Sequence, residues 1–172
     1  MILSEVEAVA PIEIKPLRGW EAWRFAQLRN QIDGETRYLV ASGTERREKG
    51  HRVLLRLFLT RNLTTLVARN NKEHLGYVSL VFARFKKLRG NAYLTISVKG
   101  GYRGQGLGTR LMLAAEELAR QRGIRRIELE VFNQNPAVEL YKRLGYEVEG
   151  RKREAVRLSD GYDDIIFMAK FI

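Results

Sequence analysis

From residue 91 to residue 132 the chain reads as strand, glycine-rich loop, helix and strand, and this unit constrains the fold more than any other feature. Residues 91–98 alternate: Ala92, Leu94, Ile96 and Val98 face one way, and Tyr93, Thr95 and Ser97 the other, the two-residue period of a strand. The loop occupies residues 100–108. A helix runs from it to about Arg122, with Leu107, Leu111, Ala115 and Leu118 on its inner face. Gly123 sits just past its end, where a left-handed residue commonly closes a helix. Residues 125–132 form the second strand, with Ile127, Leu129 and Val131 on one face. Crossovers of this kind are right-handed and join parallel strands, so the unit demands a sheet with a parallel pair and a helix across it.

The rest of the chain builds outward from this pair. Residues 12–14 read as a first strand, and a helix is expected from Trp20 to about Ile32, with Trp20, Trp23 and Phe25 among its apolar positions and Asp33-Gly34 as its stop. Ser42 and Glu45 have capping-box spacing before a second helix reaching about Thr60, whose pairs Val53/Leu57, Leu54/Phe58 and Leu55/Leu59 are four apart. Residues 64–69 and 75–84 are strands joined at Asn70-Asn71. Asn135-Pro136 opens a last helix ending at Leu144-Gly145, with Pro136 at the first helical position. Residues 146–158 and 165–171 are strands flanking the turn Ser159-Asp160-Gly161. Antiparallel hairpins on either side of a parallel pair make the class α+β, a mixed sheet of about 6–7 strands flanked by four helices. Residues 1–172 fit one domain.

Composition removes several kinds of chemistry. The chain has no cysteine, which excludes a disulfide framework, a thiolate metal site and a cysteine nucleophile. Its two histidines, His51 and His74, lack a ligand-spaced partner, so no metal is expected and both read as ordinary surface or turn residues. The start has no basic segment ahead of a long apolar run, and the apolar stretch 53–59 is interrupted by Arg56. A bilayer span needs about 20 apolar residues, so a soluble, cytoplasmic protein with no membrane partner is expected. Net charge is +11, distributed as −1 over residues 1–43, +10 over 44–100 and +2 over 101–172. A positive field of this kind concentrates anions, whether nucleic acid, phosphorylated cofactor or acidic substrate.

The loop Arg103-Gly104-Gln105-Gly106-Leu107-Gly108-Thr109 is where that field meets a binding geometry. Glycines let backbone approach a ligand, and the following helix start offers unpaired N–H groups and a positive dipole end. Together they form a phosphate site to which Arg103 adds a charge. A P-loop would need Gly-Lys-Ser/Thr where Gly108-Thr109-Arg110 stands, and a dinucleotide fingerprint would need a small residue at Thr109.

What the loop does match is Arg/Gln-x-x-Gly-x-Gly/Ala, and it is followed by Leu129-Glu130-Val131, Asn133 and the run from Ala137 through Leu140-Tyr141 to Leu144-Gly145-Tyr146. In this combination the chain resembles the GNAT family of N-acetyltransferases over about residues 91–172, with the acetyl-CoA core at about 91–145; residues 1–90 agree in element order. The resemblance implies acetyl-CoA as co-substrate, with two central parallel strands splayed around its thioester. Main chain of Arg103, Gly104, Gln105, Gly106, Leu107, Gly108 and Thr109 would hold the pyrophosphate, and that of Ile96, Ser97 and Val98 the pantetheine arm. Tyr141 matches the tyrosine that protonates the departing thiolate, although its place on the apolar helix stripe also makes it a core aromatic. Two departures stand. Gly100 replaces a frequent proline, which with Gly101 loosens the loop entry, and the family's asparagine seven residues before the tyrosine is absent. Asn133 and Asn135, eight and six residues before Tyr141, both remain candidates for the pantetheine.

An amine acceptor must lose a proton before it attacks. Glu130, near the end of its strand and opposite the Leu129 face, is the base candidate, acting directly or through water; the alternative is that Glu128 and Glu130 pair with arginines. Glu35, in the loop after the first helix, lies where relatives shape the acceptor site, its alternative being a solvated carboxylate. The expected function is therefore acetyl transfer to a primary amine, of a small molecule or a peptide, in a ternary complex. The competing reading is a catalytically silent acyl-CoA-binding or RNA-binding module using the basic segment 44–100. It lacks the basic-plus-aromatic pattern of a known module, so no nucleic-acid partner is expected. A homodimer is the general default.

Overall fold

The computed structural model describes residues 11–38, 62–71 and 73–172. Its elements run β1 (Glu13–Pro16), α1 (Ala22–Glu35), β2 (Leu63–Arg69), β3 (His74–Phe82), β4 (Asn91–Val98), α2 (Leu107–Gln121), β5 (Arg126–Phe132), α3 (Ala137–Arg143), β6 (Glu147–Leu158) and β7 (Gly161–Phe171). The strands form one seven-stranded sheet in the order β1-β2-β3-β4-β5-β7-β6, antiparallel throughout except between β4 and β5. This is the expected mixed α+β architecture with three helices among the described residues; the helix expected to end near Thr60 lies outside them.

Two boundaries differ from the sequence reading. Asp33-Gly34 does not stop α1, which continues to Glu35 and ends at Thr36 in extended conformation. A glycine inside a helix costs about 1 kcal/mol relative to alanine, and the burial of Phe25, Leu28 and Ile32 against the sheet outweighs that. The other boundary is the last turn. Pairing between β6 and β7 continues down to Leu158 and Gly161, so only Ser159 and Asp160 remain unpaired and Gly161 is already strand.

Apolar periodicity decides the layering. On one face of the sheet α2 buries Leu107, Leu111, Met112, Ala115 and Ala119 against Leu75, Leu80, Leu94, Ile127 and Met168. Each fully buried side chain of this size contributes about 1.5–3 kcal/mol. On the other face α1 sets Phe25, Leu28 and Ile32 on Val67 and Tyr77, with Phe25 and Tyr77 edge to face at 5.0 Å. Trp20 and Trp23 stay exposed. Along β4 the inward alternation splits in two: Ala92 and Leu94 are fully buried, whereas Ile96 and Val98 are only partly covered and line a cavity.

Candidate active site

β4 and β5 are held side by side over three residue pairs only, Asn91 with Arg126, Ala92 with Ile127 and Tyr93 with Glu128. Past Tyr93 they part, while β4 stays paired with β3 and β5 with β7 on their outer edges. A cavity of about 480 Å³ opens at the divergence. Ile96, Ser97 and Val98 form one wall, Gly104, Gly106, Gly108 and Thr109 the helix-start wall, and Asn135, Leu140 and Tyr141 the opposite side. Arg103 and Arg143 lie on its lining and make it electropositive.

The glycines act in two ways. Gly104 and Gly106 have φ of +72° and +78°, and a Cβ on either would meet nothing within 4 Å, so the space above this backbone is open to a ligand. Gly108 is helical and is small for packing: a Cβ there would stand 3.1 Å from Leu140 Cδ2. Arg110 N–H makes the bond to the Gly106 carbonyl that begins the helical ladder, at 3.1 Å, so the N–H groups ahead of it face past the helix end. Open space, unpaired donors and a positive dipole end fit a pyrophosphate. The side chains of Leu107 and Gln105 turn away, the first into the core and the second to the Gly101 carbonyl at 2.8 Å.

The loop entry is pinned rather than loosened by Gly100-Gly101. Residues Gly100–Tyr102 form a 3-10 turn. Glu35 Oε2 accepts a hydrogen bond from Gly100 N–H at 2.5 Å and lies 3.4 Å from the Arg103 guanidinium, and Arg103 Nε donates to the Val98 carbonyl at 2.8 Å. A Cβ at Gly100 would stand 3.0 Å from that carboxylate, so a larger residue there would push the Glu35 side chain aside. Glu35 is thus the last residue of α1 and not a loop residue; it braces the loop and does not itself line the cavity.

Tyr141 belongs to both the core and the cavity. Its ring is buried in the main core beside Tyr146, and it also lines the cavity. Burial, with the nearby Tyr93, pushes its pKa above the ordinary phenol value, so the hydroxyl is protonated at neutral pH. Glu130 is exposed on the face opposite Leu129 and makes no ion pair among the described residues, whereas Glu128 pairs with Arg126 at 3.4 Å. Glu130 does not itself line the cavity. The link is Tyr93, which the sequence reading missed: it occupies the last paired position before the split, and burial and the Glu130 carboxylate raise its pKa against a hydrogen bond from the Glu130 backbone. Strand alternation alone marked its face and not its neighbours.

Of the two asparagines, Asn135 lines the cavity and its Oδ1 accepts the Ala137 N–H at 3.0 Å, starting α3. Pro136 stands immediately before the helix, at the N-cap. Asn133 is exposed, and its N–H bonds the Asp164 carbonyl at 2.9 Å. A further wall comes from Thr36 and Tyr38, held by Arg37, which donates to Asp160 at 2.8 Å and to Gln134 at 2.7 Å. His74 is not a surface residue: it is buried at the start of β3, with Nε2 3.5 Å from the Glu21 carboxylate that also pairs with Arg69. His51 lies outside the described residues. No group of three or more potential metal ligands occurs among the described residues, and no helix there is long and apolar enough to cross a membrane.

Comparison with known proteins gives a consistent picture. The sequence model of the Acetyltransferase (GNAT) family matches residues 23–146. An L-methionine sulfoximine/L-methionine sulfone acetyltransferase from Pseudomonas aeruginosa is 33% identical over 98 residues, 56% of this chain and 57% of that protein, so the match spans little more than half the length of this curated relative. The crystal structure of a GNAT-family acetyltransferase from Streptococcus pneumoniae superposes with a TM-score of 0.84 at 27% identity, covering 94% of this chain and all of the other. The ribosomal-protein-S18-alanine N-acetyltransferase from Escherichia coli shares the fold, with a TM-score of 0.73 at 22% identity over 94% of each chain.

Proposed function

The chain belongs to the GNAT acetyltransferase family, and from that premise we propose that it transfers the acetyl group of acetyl-CoA to a primary amine by direct attack in a ternary complex. The observation that carries the reading is the cavity itself, which opens where β4 and β5 part and joins a positive-φ glycine loop to Tyr141. Acetyl-CoA supplies the activated acyl group as a thioester. The N–H groups at the start of α2 and the Arg103 guanidinium bind its pyrophosphate, an arrangement strong because both partners are charged or aligned dipoles. Main-chain groups of Ile96 to Val98, free of a β5 partner, pair with the pantetheine arm, and Asn135 rather than Asn133 meets it from across the cavity.

Glu130 removes a proton from the ammonium form of the acceptor, through water or the Tyr93 hydroxyl, because its carboxylate stands outside the cavity wall. As the C–N bond forms and the C–S bond breaks, Tyr141 gives its phenolic proton to the departing CoA thiolate, and the second proton shed by the new amide nitrogen returns to the tyrosinate directly or through water. With no cysteine in the chain, no cysteine acyl-enzyme forms. The named relatives act on an amino-acid derivative and on a ribosomal-protein alanine, so the acceptor class here is a small-molecule or peptide amine. A screen of amino acids, small amines and peptides that reads CoA thiol release tests the proposal. Release with one acceptor class, abolished without it, is the expected result; acetyl-CoA binding with no release under any acceptor would reduce the protein to a binding module.

A further inference from the structure

None of the described cations in the basic middle of the chain lines the cavity. Among its described members, Arg69 is paired with Glu21 and Lys99 with Glu73. Arg84, Lys86, Lys87 and Arg89 have no acidic partner among the described residues and are all exposed, in the loop between β3 and β4. The same loop carries the most exposed large apolar side chain, Phe85 at 76%, and Leu88 at 49%. The end of α2 meets it. The Gly90 carbonyl accepts the N–H groups of Arg125 and Arg126 at 2.8 and 3.0 Å, and the Arg122 guanidinium lies 4.6 Å over the Phe82 ring. Arg122 and Arg125 are exposed and likewise lack an acidic partner among the described residues. Two segments far apart in sequence thus form one cationic end around an exposed phenyl ring, at the opposite end of β4 from the cavity: Asn91 and Ile96, where the cavity wall begins, are about 17 Å apart at about 3.3 Å per residue.

We propose that this end of the molecule binds single-stranded nucleic acid, the unpaired cations on the β3–β4 loop and after α2 following the phosphodiester backbone while Phe85 stacks on a base. The inference is independent of the acetyl-transfer reading. Arginines dominate the cluster, and their planar forks suit phosphate oxygens better than a point charge does. A flat exposed ring among cations is the pairing that sequence-tolerant single-strand binding uses. An anionic bilayer would want a broader apolar face than Phe85 and Leu88 provide. The net charge of +11 adds a long-range attraction to any polyanion.

Fluorescence anisotropy with RNA and DNA single strands of about 16 nucleotides tests the proposal. Affinity should fall with salt at a slope of about −0.7 per phosphate neutralised. The triple variant Lys86→Gln/Lys87→Gln/Arg89→Gln should flatten that slope by about 2 and weaken binding at least tenfold. Phe85→Ala should cost about tenfold through lost stacking. A control, Lys152→Gln/Arg153→Gln/Arg157→Gln on β6, removes the same charge elsewhere and should bind as wild type. Acetyl-CoA binding and the thermal melt should not change in any of them. RNA binding in preference to DNA, or the reverse, identifies the sugar read. Absence of binding at low salt, equal loss in both triples, no effect of Phe85→Ala, or binding only to phosphatidylserine vesicles would each overturn the proposal.

Discussion

Gly106→Ala separates the two ways in which a glycine can matter at the start of α2. Gly106 has φ of +78°, and its added Cβ would touch nothing within 4 Å, so the substitution carries backbone strain without a steric clash inside the protein. The left-handed region costs a non-glycine residue about 1–2 kcal/mol, which in a domain of this size lowers Tm by about 2–8 °C. Gly123, at the other end of the same helix, has φ of +70° and equally open space, but does not line the cavity. Gly123→Ala should therefore lose the same stability. The two variants should part in acetyl-CoA affinity. A methyl group over the Gly106 backbone displaces a charge-assisted hydrogen bond from a loop N–H to phosphate, worth about 1.5–3 kcal/mol, so binding weakens about tenfold to a hundredfold. Calorimetric titration with acetyl-CoA, beside thermal melts of both variants, makes the comparison. Matching affinities in Gly106→Ala, Gly123→Ala and wild type would refute the pyrophosphate role of this loop, and a loss common to both variants would assign it to global strain.

Glu130→Gln should keep acetyl-CoA binding, lower turnover by about 10²–10⁴-fold and remove the acidic limb of the pH–rate profile; an unchanged profile would leave the proton to water. Tyr141→Phe keeps the packed ring and deletes the hydroxyl, so steady-state CoA release should slow while the melt stays near wild type; normal turnover there with unfolding in Tyr141→Ala would make the ring purely structural. Burial lowers the His74 pKa more than Glu21 raises it. The neutral form is then the stable one, and its contribution is present above the unfolded value of about 6.5 and lost as pH falls through the lower folded value. Denaturant titrations from neutral to mildly acidic pH should show this loss, with a shallower slope in His74→Asn; parallel slopes would exclude the residue.

How far the sequence could be read follows from which atoms carry the chemistry. The β4–α2–β5 unit was legible because period-2 and helical patterns, a left-handed Gly123 and a glycine loop are local signals, and because the pyrophosphate role proposed for that loop rests on main chain whose placement those signals decide. The brace that Glu35 makes was not legible because its partner, Gly100, is 65 residues away and only the docking of α1 on the sheet brings them together. The same holds for Arg37 and Asp160, 123 residues apart, and for His74, which looked like a turn residue until Glu21 was packed over it. Spacing could not choose between Asn133 and Asn135. The structure separates their positions: Asn135 Oδ1 accepts the Ala137 N–H at the start of α3 and the residue lines the cavity, while Asn133 is exposed. The RNA reading met the same limit. The exposed ring and four of the cations sit in one loop, but only the Gly90 carbonyl, bonded by the Arg125 and Arg126 N–H groups, brings Arg122 and Arg125 beside them. Backbone-borne sites thus emerge from the sequence, while sites made of side chains from distant elements emerge only from the fold. Acetyl-CoA recognition here belongs to the first kind. An acceptor site built on cavity side chains such as Thr36 and Tyr38 would belong to the second, since no local motif marks them.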